Sequence, residues 1–395
     1  MLTRRLNRLS LSPMELGSLF YWFYWSFIAI YDPFLNVYLS EERGLSGLEV
    51  GVLAVFNPLS ALILGPFLSA LADRRGWRLR MLQVALIGWI VALLLLRWPQ
   101  TFFGFFPVMA LLAIFRSPTS PIGDGLVAEM AVTHRLSYGG MRLWGSLGFA
   151  IASIASGLVW QRTGYAPMFF MAALTAVPCV LLIGRMEEKS VHGRQPSGSA
   201  WRLLQDPGLL TLFTIAFLAG VSLISTFIFG GIFMAELGGA RSYVGLMFGL
   251  SALAEVPIML ASDKIMRRLT APMTMLLTLI IIGVSVYGYA LSQTPVMLLL
   301  ASTLKGVGYG LYFVTSVHLI NQRTPDAWKS TAQAIMAACL VGLAPLFSSA
   351  LSGYILDEWG GQVMFAGTAT FTLAAIALML FALARGWLEP KEMEN

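Results

Sequence analysis

The chain is 395 residues long, 57% hydrophobic and only 12% charged, with a mean hydropathy of +0.75 and a formal net charge of +6. A soluble domain of this length carries about twice that charge fraction, so this surface is built to face lipid. The basic residues sit in short loops between apolar runs, as membrane insertion requires, which excludes nucleic acid as their reason; Cys179 and Cys339 lie in separate apolar runs and give neither a disulfide framework nor a metal site.

A spanning helix needs about 20 mostly apolar residues. Such runs are predicted at 15–39, 47–71, 79–97, 102–127, 138–160 and 165–184. The first is too long for a cleaved signal peptide and is expected to stay as a helix. Arg185 to Pro207 is polar, holding Glu187, Glu188, Lys189, Arg194 and the run Gln195-Pro196-Ser197-Gly198-Ser199, and reads as a linker. Apolar runs resume at 208–235, 243–262, 272–291, 295–319, 330–356 and 363–386. The expected organisation is an all-α membrane protein of twelve transmembrane helices. An N-terminal six-helix bundle covers 1–184, a cytoplasmic linker 185–207 and a C-terminal six-helix bundle 208–395.

Most Lys and Arg fall on the loops that share a face with the N-terminus, among them Arg74, Arg75, Arg78, Arg80, Arg135, Arg185, Arg267, Arg268 and Arg323. The opposite face has Arg43, Arg97, Arg162 and Arg241. That bias places both termini and the linker in the cytoplasm, in a plasma (inner) membrane. Trp98, Trp160, Tyr165 and Trp359 fall at the outer ends, where interfacial anchors are expected.

The halves resemble each other. Leu71-Ala72-Asp73-Arg74-Arg75-Gly76 follows the second helix and Ala261-Ser262-Asp263-Lys264-Ile265-Met266 the eighth, and each of those helices opens on Val-Gly. Two related six-helix halves suit a carrier that rocks one half against the other around a midplane site.

The segment Ser69-Ala70-Leu71-Ala72-Asp73-Arg74-Arg75-Gly76-Trp77-Arg78 resembles the Gly-x-x-x-Asp-Arg-x-Gly-Arg-Arg loop of the major facilitator superfamily, with Ser69 and Trp77 departing from it. The resemblance implies the major facilitator fold of two pseudo-symmetric six-helix bundles. It also implies a gating loop in which Asp73, Arg74, Gly76 and Arg78 form charge pairs at the cytoplasmic rim. Ser117-Pro118-Thr119-Ser120-Pro121-Ile122-Gly123-Asp124-Gly125-Leu126, then Tyr138-Gly139-Gly140-Met141-Arg142-Leu143-Trp144-Gly145-Ser146, is similar to the phenylpropionate permease family, a relative of lactose permease and the nucleoside–proton symporters. Ala254-Glu255 is similar to that family too. This implies proton-coupled uptake of a small organic solute. By the same resemblance Asp124 and Arg142 match the acid and Arg that grip the sugar in lactose permease, Phe149 replaces its stacking Trp, and Lys305 matches a Lys of its tenth helix. Its proton-carrying His and Glu fall on Gly308 and Leu311, so that proton route is not carried over.

Independently of any family, ionisable groups within spans demand explanation, since one at the bilayer centre costs about 3 kcal/mol. They are Asp32, Arg116, Asp124, Arg142, Glu255 and Lys305. Three acids and three bases could simply pair off. Against that, Pro118, Pro121, Gly123 and Gly125 loosen the fourth helix around Asp124, and bendable helices with charges mark transporter sites. Arg142 can hold a carboxylate bidentately, or hold Asp124 until a proton or solute displaces it. Glu255 is the leading proton carrier, with a fixed ion pair to Lys305 as its alternative; Asp32, beside Tyr31 and Pro33, is a gate or coupling acid. Arg116 either attracts an anion or neutralises Asp124. Candidate substrate contacts are Asp124, Arg142, Phe149, Arg116 and Tyr31; candidate coupling residues are Glu255, Asp124, Asp32 and Lys305. His318 is read as interfacial. On the first helix Tyr21, Trp25 and Tyr24 or Ile28, at helical spacing, could present one or two rings to a solute.

No phosphate-binding Gly-x-x-x-x-Gly-Lys-Ser/Thr, His-Glu-x-x-His or Gly-x-Ser-x-Gly occurs, so neither ATP drive nor hydrolytic chemistry is expected. The expectation is a monomeric, non-enzymatic symporter for an aromatic or carboxylated solute, driven by a proton gradient with no bound cofactor. A sugar or nucleoside symporter, a drug efflux pump, and a transporter-like sensor or scaffold are the alternatives.

Overall fold

The computed structural model describes residues 11–188 and 201–388, the side chains of Arg202 and Asp263 apart. The middle of the expected linker (189–200), both chain ends and the Asp263 carboxylate of the internal repeat lie outside the described residues. Every regular element among the described residues is helical. We number them α1 (Pro13–Glu41), α2 (Gly47–Arg75), α3 (Arg78–Leu95), α4 (Phe102–His134), α5 (Tyr138–Thr163) and α6 (Met168–Ile183) in the N-terminal group. The C-terminal group holds α7 (Pro207–Glu236), α8 (Arg241–Leu269), α9 (Ala271–Leu291), α10 (Pro295–Arg323), α11 (residues 326–359) and α12 (residues 361–384).

Local chemistry sets the ends. Ser12 with Glu15 and Ser46 with Glu49 form reciprocal capping boxes at α1 and α2, and Asp206 caps α7 by accepting from the Leu209 N–H. Gly76 closes α2 with a φ of 63°, a conformation open to glycine at little cost. Pro118, which has no N–H to donate, interrupts α4 between Arg116 and Thr119.

Among the described residues nine helices are long and apolar enough to span a bilayer, the last running from Asp326 to Ala384 over 59 residues. That last one is a hairpin. Its chain meets α7 at Gly220 through Leu340 and at Ser225 through Ser352, passes Phe233 at Gly361, and returns to Ser222 through Thr368. Gly360, with φ 81° and ψ 168°, makes the reversal. Helix α1, rich in Tyr and Trp, packs on α5, α6 and α7, and the shorter α6 packs on α1 and α3. Each of the twelve expected helices therefore has a counterpart.

The two groups meet along α1–α7, α2–α11 and α5–α8. These seams need small residues. A Cβ on Gly353 would stand 2.0 Å from the Gly47 carbonyl oxygen, and one on Gly245 would stand 2.4 Å from that of Ser153. Asn36 Nδ2 donates to the Ile228 carbonyl (3.0 Å) and Ser153 Oγ to the Gly245 carbonyl (3.1 Å). At the end carrying the α1–α2 turn, called here the far end, Arg241 pairs with Glu41 (3.7 Å) and Glu42 (3.4 Å). There also the Asp357 carboxylate accepts the N–H groups of Gly47 (2.6 Å) and Leu48 (2.8 Å) at the start of α2. At the opposite, basic end the ion pairs among the described residues stay within one group: Arg78 with Asp73 and Glu129, and Arg323 with Asp206. There α4 packs on α1, α2, α3 and α5, and α10 on α7, α8, α9 and α11, each within its own group. Packing between the groups is thus concentrated from the far end to mid-height. Of the expected interfacial anchors, Trp98 and Trp359 are exposed, but Trp160 and Tyr165 are core residues packed against Phe34.

Candidate functional site

Between the two groups lies a cavity of about 370 Å³. Its charged lining is Asp32 from α1, Arg116 from α4, Arg142 from α5 and Glu255 from α8. Its aromatic lining is Trp25, Phe149, Phe227, Phe248 and Tyr309. Both groups contribute to both kinds of wall.

The break at Pro118 leaves Arg116 as the last residue of the first α4 segment, turned toward α1. Its guanidinium grips Asp32 bidentately (2.6 and 3.2 Å) and lies 5.3 Å from the centre of the Trp89 ring. Arg116 therefore neutralises Asp32; the expected alternative partner, Asp124, is occupied elsewhere. The Tyr21 hydroxyl donates to Asp124 (2.6 Å) and shares a second hydrogen bond with the Tyr138 hydroxyl (3.0 Å), while Ser120 Oγ donates to the other Asp124 oxygen (3.0 Å). Asp124 sits behind the cavity wall, and it forms no ion pair with Arg142.

Arg142 instead lies over aromatic faces, 4.4 Å from the Trp25 ring centre and 5.4 Å from that of Tyr21. Among the described residues no hydrogen bond reaches its guanidinium, and it lines the cavity. A planar fork of five N–H donors is thus free for a carboxylate. Phe149, one helical turn beyond Gly145, stands edge-on to Trp25 at 6.3 Å and completes that corner.

Across the cavity, Glu255 has neither a hydrogen bond nor an ion pair among the described residues. The alternative reading, a fixed pair with Lys305, is not formed among the described residues. Lys305 is 1% exposed, lies behind the lining, and points its Nζ at the Phe227 ring (4.0 Å) and the Phe248 ring (5.5 Å) with no hydrogen-bond partner. Tyr31 also misses the cavity: it is fully buried, and its hydroxyl accepts from Trp89 Nε1 (3.0 Å). In the gating loop, Gly76 makes the turn and Arg78 joins Asp73 (3.2 Å) to Glu129 of α4 (2.8 Å), while Arg74 is exposed. His318 hydrogen-bonds Gln322 on its own helix (2.9 Å).

Four lining residues carried weak signals in sequence. Trp25 belonged to the predicted ring row of the first helix, though Tyr21 and Tyr24 of that row stay in the wall. Asn57, whose Oδ1 is buried without a partner, is an amide inside an apolar run. Tyr309 lies one turn after Lys305 on α10, and Phe248 seven residues before Glu255 on α8, both on faces that a charge had already marked.

Residues 16–366 match the model of the MFS_1 like family. The maltose permease of Geobacillus stearothermophilus is 27% identical over 373 residues, covering 92% of this chain and 93% of that one. The probable 3-phenylpropionic acid transporter of Escherichia coli K12 is also 27% identical, over 362 residues covering 87% and 91%. Among solved structures, a point variant of the nucleoside transporter NupG superposes with a TM-score of 0.83 at 15% identity, over 94% of this chain and 99% of that one. A match over most of the chain, together with an all-helical fold of long apolar helices around a charged central cavity, makes this protein a member of the MFS_1 like family, an integral membrane transporter of the major facilitator type.

Proposed function

We propose that the chain takes up a small solute bearing a carboxylate on an aromatic or apolar body, coupled to protons, by alternating access. The observation that carries this reading is the Arg142 guanidinium, unpaired by protein and turned to an aromatic-walled cavity. A half-buried cation held in no ion pair is costly unless a ligand completes it. A carboxylate offers two oxygens to the fork, and the rings of Trp25, Phe149, Phe227 and Phe248 accept the apolar remainder. The probable 3-phenylpropionic acid transporter among the relatives bears a name of this chemistry.

Glu255, unpaired on the opposite wall, is the proton carrier in this reading, and Lys305 behind it biases when the proton is held. With the basic end cytoplasmic, the seams at Asp357–Gly47 and Arg241–Glu41/Glu42 close the outer path, and the walls part toward the cytoplasm. The carrier works in the plasma (inner) membrane as a monomer, with no bound cofactor. A sugar is the second reading, favoured by the unsatisfied Asn57 amide in the lining and by the maltose permease likeness.

The test is uptake into sealed proteoliposomes with an imposed pH gradient, using labelled 3-phenylpropionate, maltose and uridine. Accumulation of 3-phenylpropionate that a protonophore abolishes is the expected result. Gradient-driven accumulation of maltose or uridine alone replaces the carboxylate reading, and uptake of none leaves a sensor or scaffold.

A further inference from the structure

Asp124 and Arg142 sit on adjacent helices of one group, yet they do not pair. What separates them is α1. Tyr21 and Trp25, one turn apart, place two ring faces against the guanidinium (5.4 and 4.4 Å), and the Tyr21 hydroxyl holds Asp124 at 2.6 Å. One residue therefore touches both charges, with its π face on the cation and its O–H on the anion. The opposite side of the cradle is cut to fit. A Cβ on Gly145 would stand 2.6 Å from Trp25 Cδ1 and 2.8 Å from Arg142 Nη1, so only glycine leaves room for the stack. Ser120 Oγ, at 3.0 Å, fills the second Asp124 oxygen, and Tyr138 anchors the Tyr21 hydroxyl. Both Asp124 oxygens, which could draw the two charges together, thus have other partners.

We propose that Tyr21 and Trp25 are positioning residues that keep Arg142 out of an ion pair with Asp124 and present its N–H edge to the cavity, an assignment that rests on Arg142 as the anchor for the solute's anion. A ring face offsets part of the guanidinium charge without consuming its donors, whereas a carboxylate would consume two of them. The cradle holds the cation in the water-poor wall in a form that a solute can still bind. Tyr21 sets this state through its hydroxyl. Once that hydroxyl is lost, Asp124 loses a donor, and Arg142, already against the Tyr21 ring, supplies one in its place.

The experiment reads Arg142 itself, with no solute present. Purified full-length protein is treated with phenylglyoxal, which modifies free guanidinium groups, and the adduct at Arg142 is followed by peptide mass spectrometry. Tyr21→Phe keeps the ring but drops the hydroxyl, and it is expected to slow modification by about tenfold as Asp124 captures Arg142, the scale of a hydrogen bond to a charged group. Tyr21→Phe combined with Asp124→Asn removes the competing anion and is expected to restore the wild-type rate, which a mere packing role for Tyr21 would not produce. An unchanged or raised rate in Tyr21→Phe overturns the proposal, and so does a slowed rate that Asp124→Asn leaves slowed. Because the readout is the reactivity of the guanidinium, its failure is separable from failure of the carboxylate reading, which the uptake assay decides.

Discussion

The two helix groups treat their intramembrane charges in opposite ways. In the N-terminal group Asp32 and Arg116 grip each other, Asp124 accepts from two hydroxyls, and Arg142 rests on two rings. In the C-terminal group, among the described residues, Glu255 faces the cavity with no hydrogen bond, and the Lys305 ammonium lies on the faces of Phe227 and Phe248 with no hydrogen bond. A charge left unpaired at membrane depth costs several kcal/mol, so a protein keeps one where its charge state or partner is meant to change. In the proposed reading, recognition belongs to the organised wall and coupling to the unpaired one.

The largest expected effect breaks the recognition wall. Arg142→Ala should lower kcat/KM for uptake by about 100-fold, the scale of truncating one partner of a desolvated charge pair, with the protein still folded in the membrane. Near-normal transport by that variant would move recognition elsewhere. Next comes the coupling wall. One proton per solute converts each unit of pH gradient into about tenfold accumulation, since 1.4 kcal/mol is a factor of ten. Glu255→Gln should lose that accumulation while solute exchange between equal pH compartments continues; accumulation that survives makes another acid the carrier. Smaller again is Lys305→Met. Replacing an unpartnered buried cation with an apolar side chain of similar length should stabilise the protein by about 1 kcal/mol, read as a rise in Tm in detergent. A fall would mean that Lys305 holds Glu255 in a fixed pair, and the contrast between the groups would collapse.

Helix positions were legible because apolar runs of spanning length have few other readings, and every expected run has a helix. The partners of the charges were not. Arg116 lies much nearer to Asp124 than to Asp32 in sequence, yet the break at Pro118 turns it toward α1, and a rotation of that kind leaves no trace in composition. Asp124 and Arg142 were visible as intramembrane charges on neighbouring helices, but the ring and hydroxyl of Tyr21 that separate them depend on how α1 is rotated against α4 and α5. For the same reason Tyr31 was mistaken for a solute contact: it shares a helix turn with Asp32 but points at Trp89. Trp160 and Tyr165 failed as interfacial anchors because an aromatic at a helix end serves equally well as core when a neighbouring helix covers it. Identity and depth in the membrane can be read along a chain, whereas azimuth around a helix that is apolar on all sides cannot.

The C-terminal group can satisfy a carboxylate, and Asp357 shows it, taking two N–H bonds from the start of α2 on the other group. The isolation of Glu255 is therefore particular to its place in the cavity. Asp357 also adds a negative charge to the positive end of the α2 dipole, an interaction worth about 0.3–1 kcal/mol at an exposed helix end. Asp357→Asn keeps one acceptor and removes the charge, so the far-end seam should loosen by about twofold to fivefold in the ratio of closed to open carriers. Spin labels at Trp98→Cys and Gln293→Cys, which stand on the far ends of the two groups, read that ratio as a distance distribution, and the longer component should grow. If the distribution is unchanged, the close glycine seams of α2–α11 and α5–α8 carry the closure without Asp357. That carboxylate is then no more than a helix cap, and Glu255 and Asp357 differ only in whether they have partners, with no division between gating and coupling.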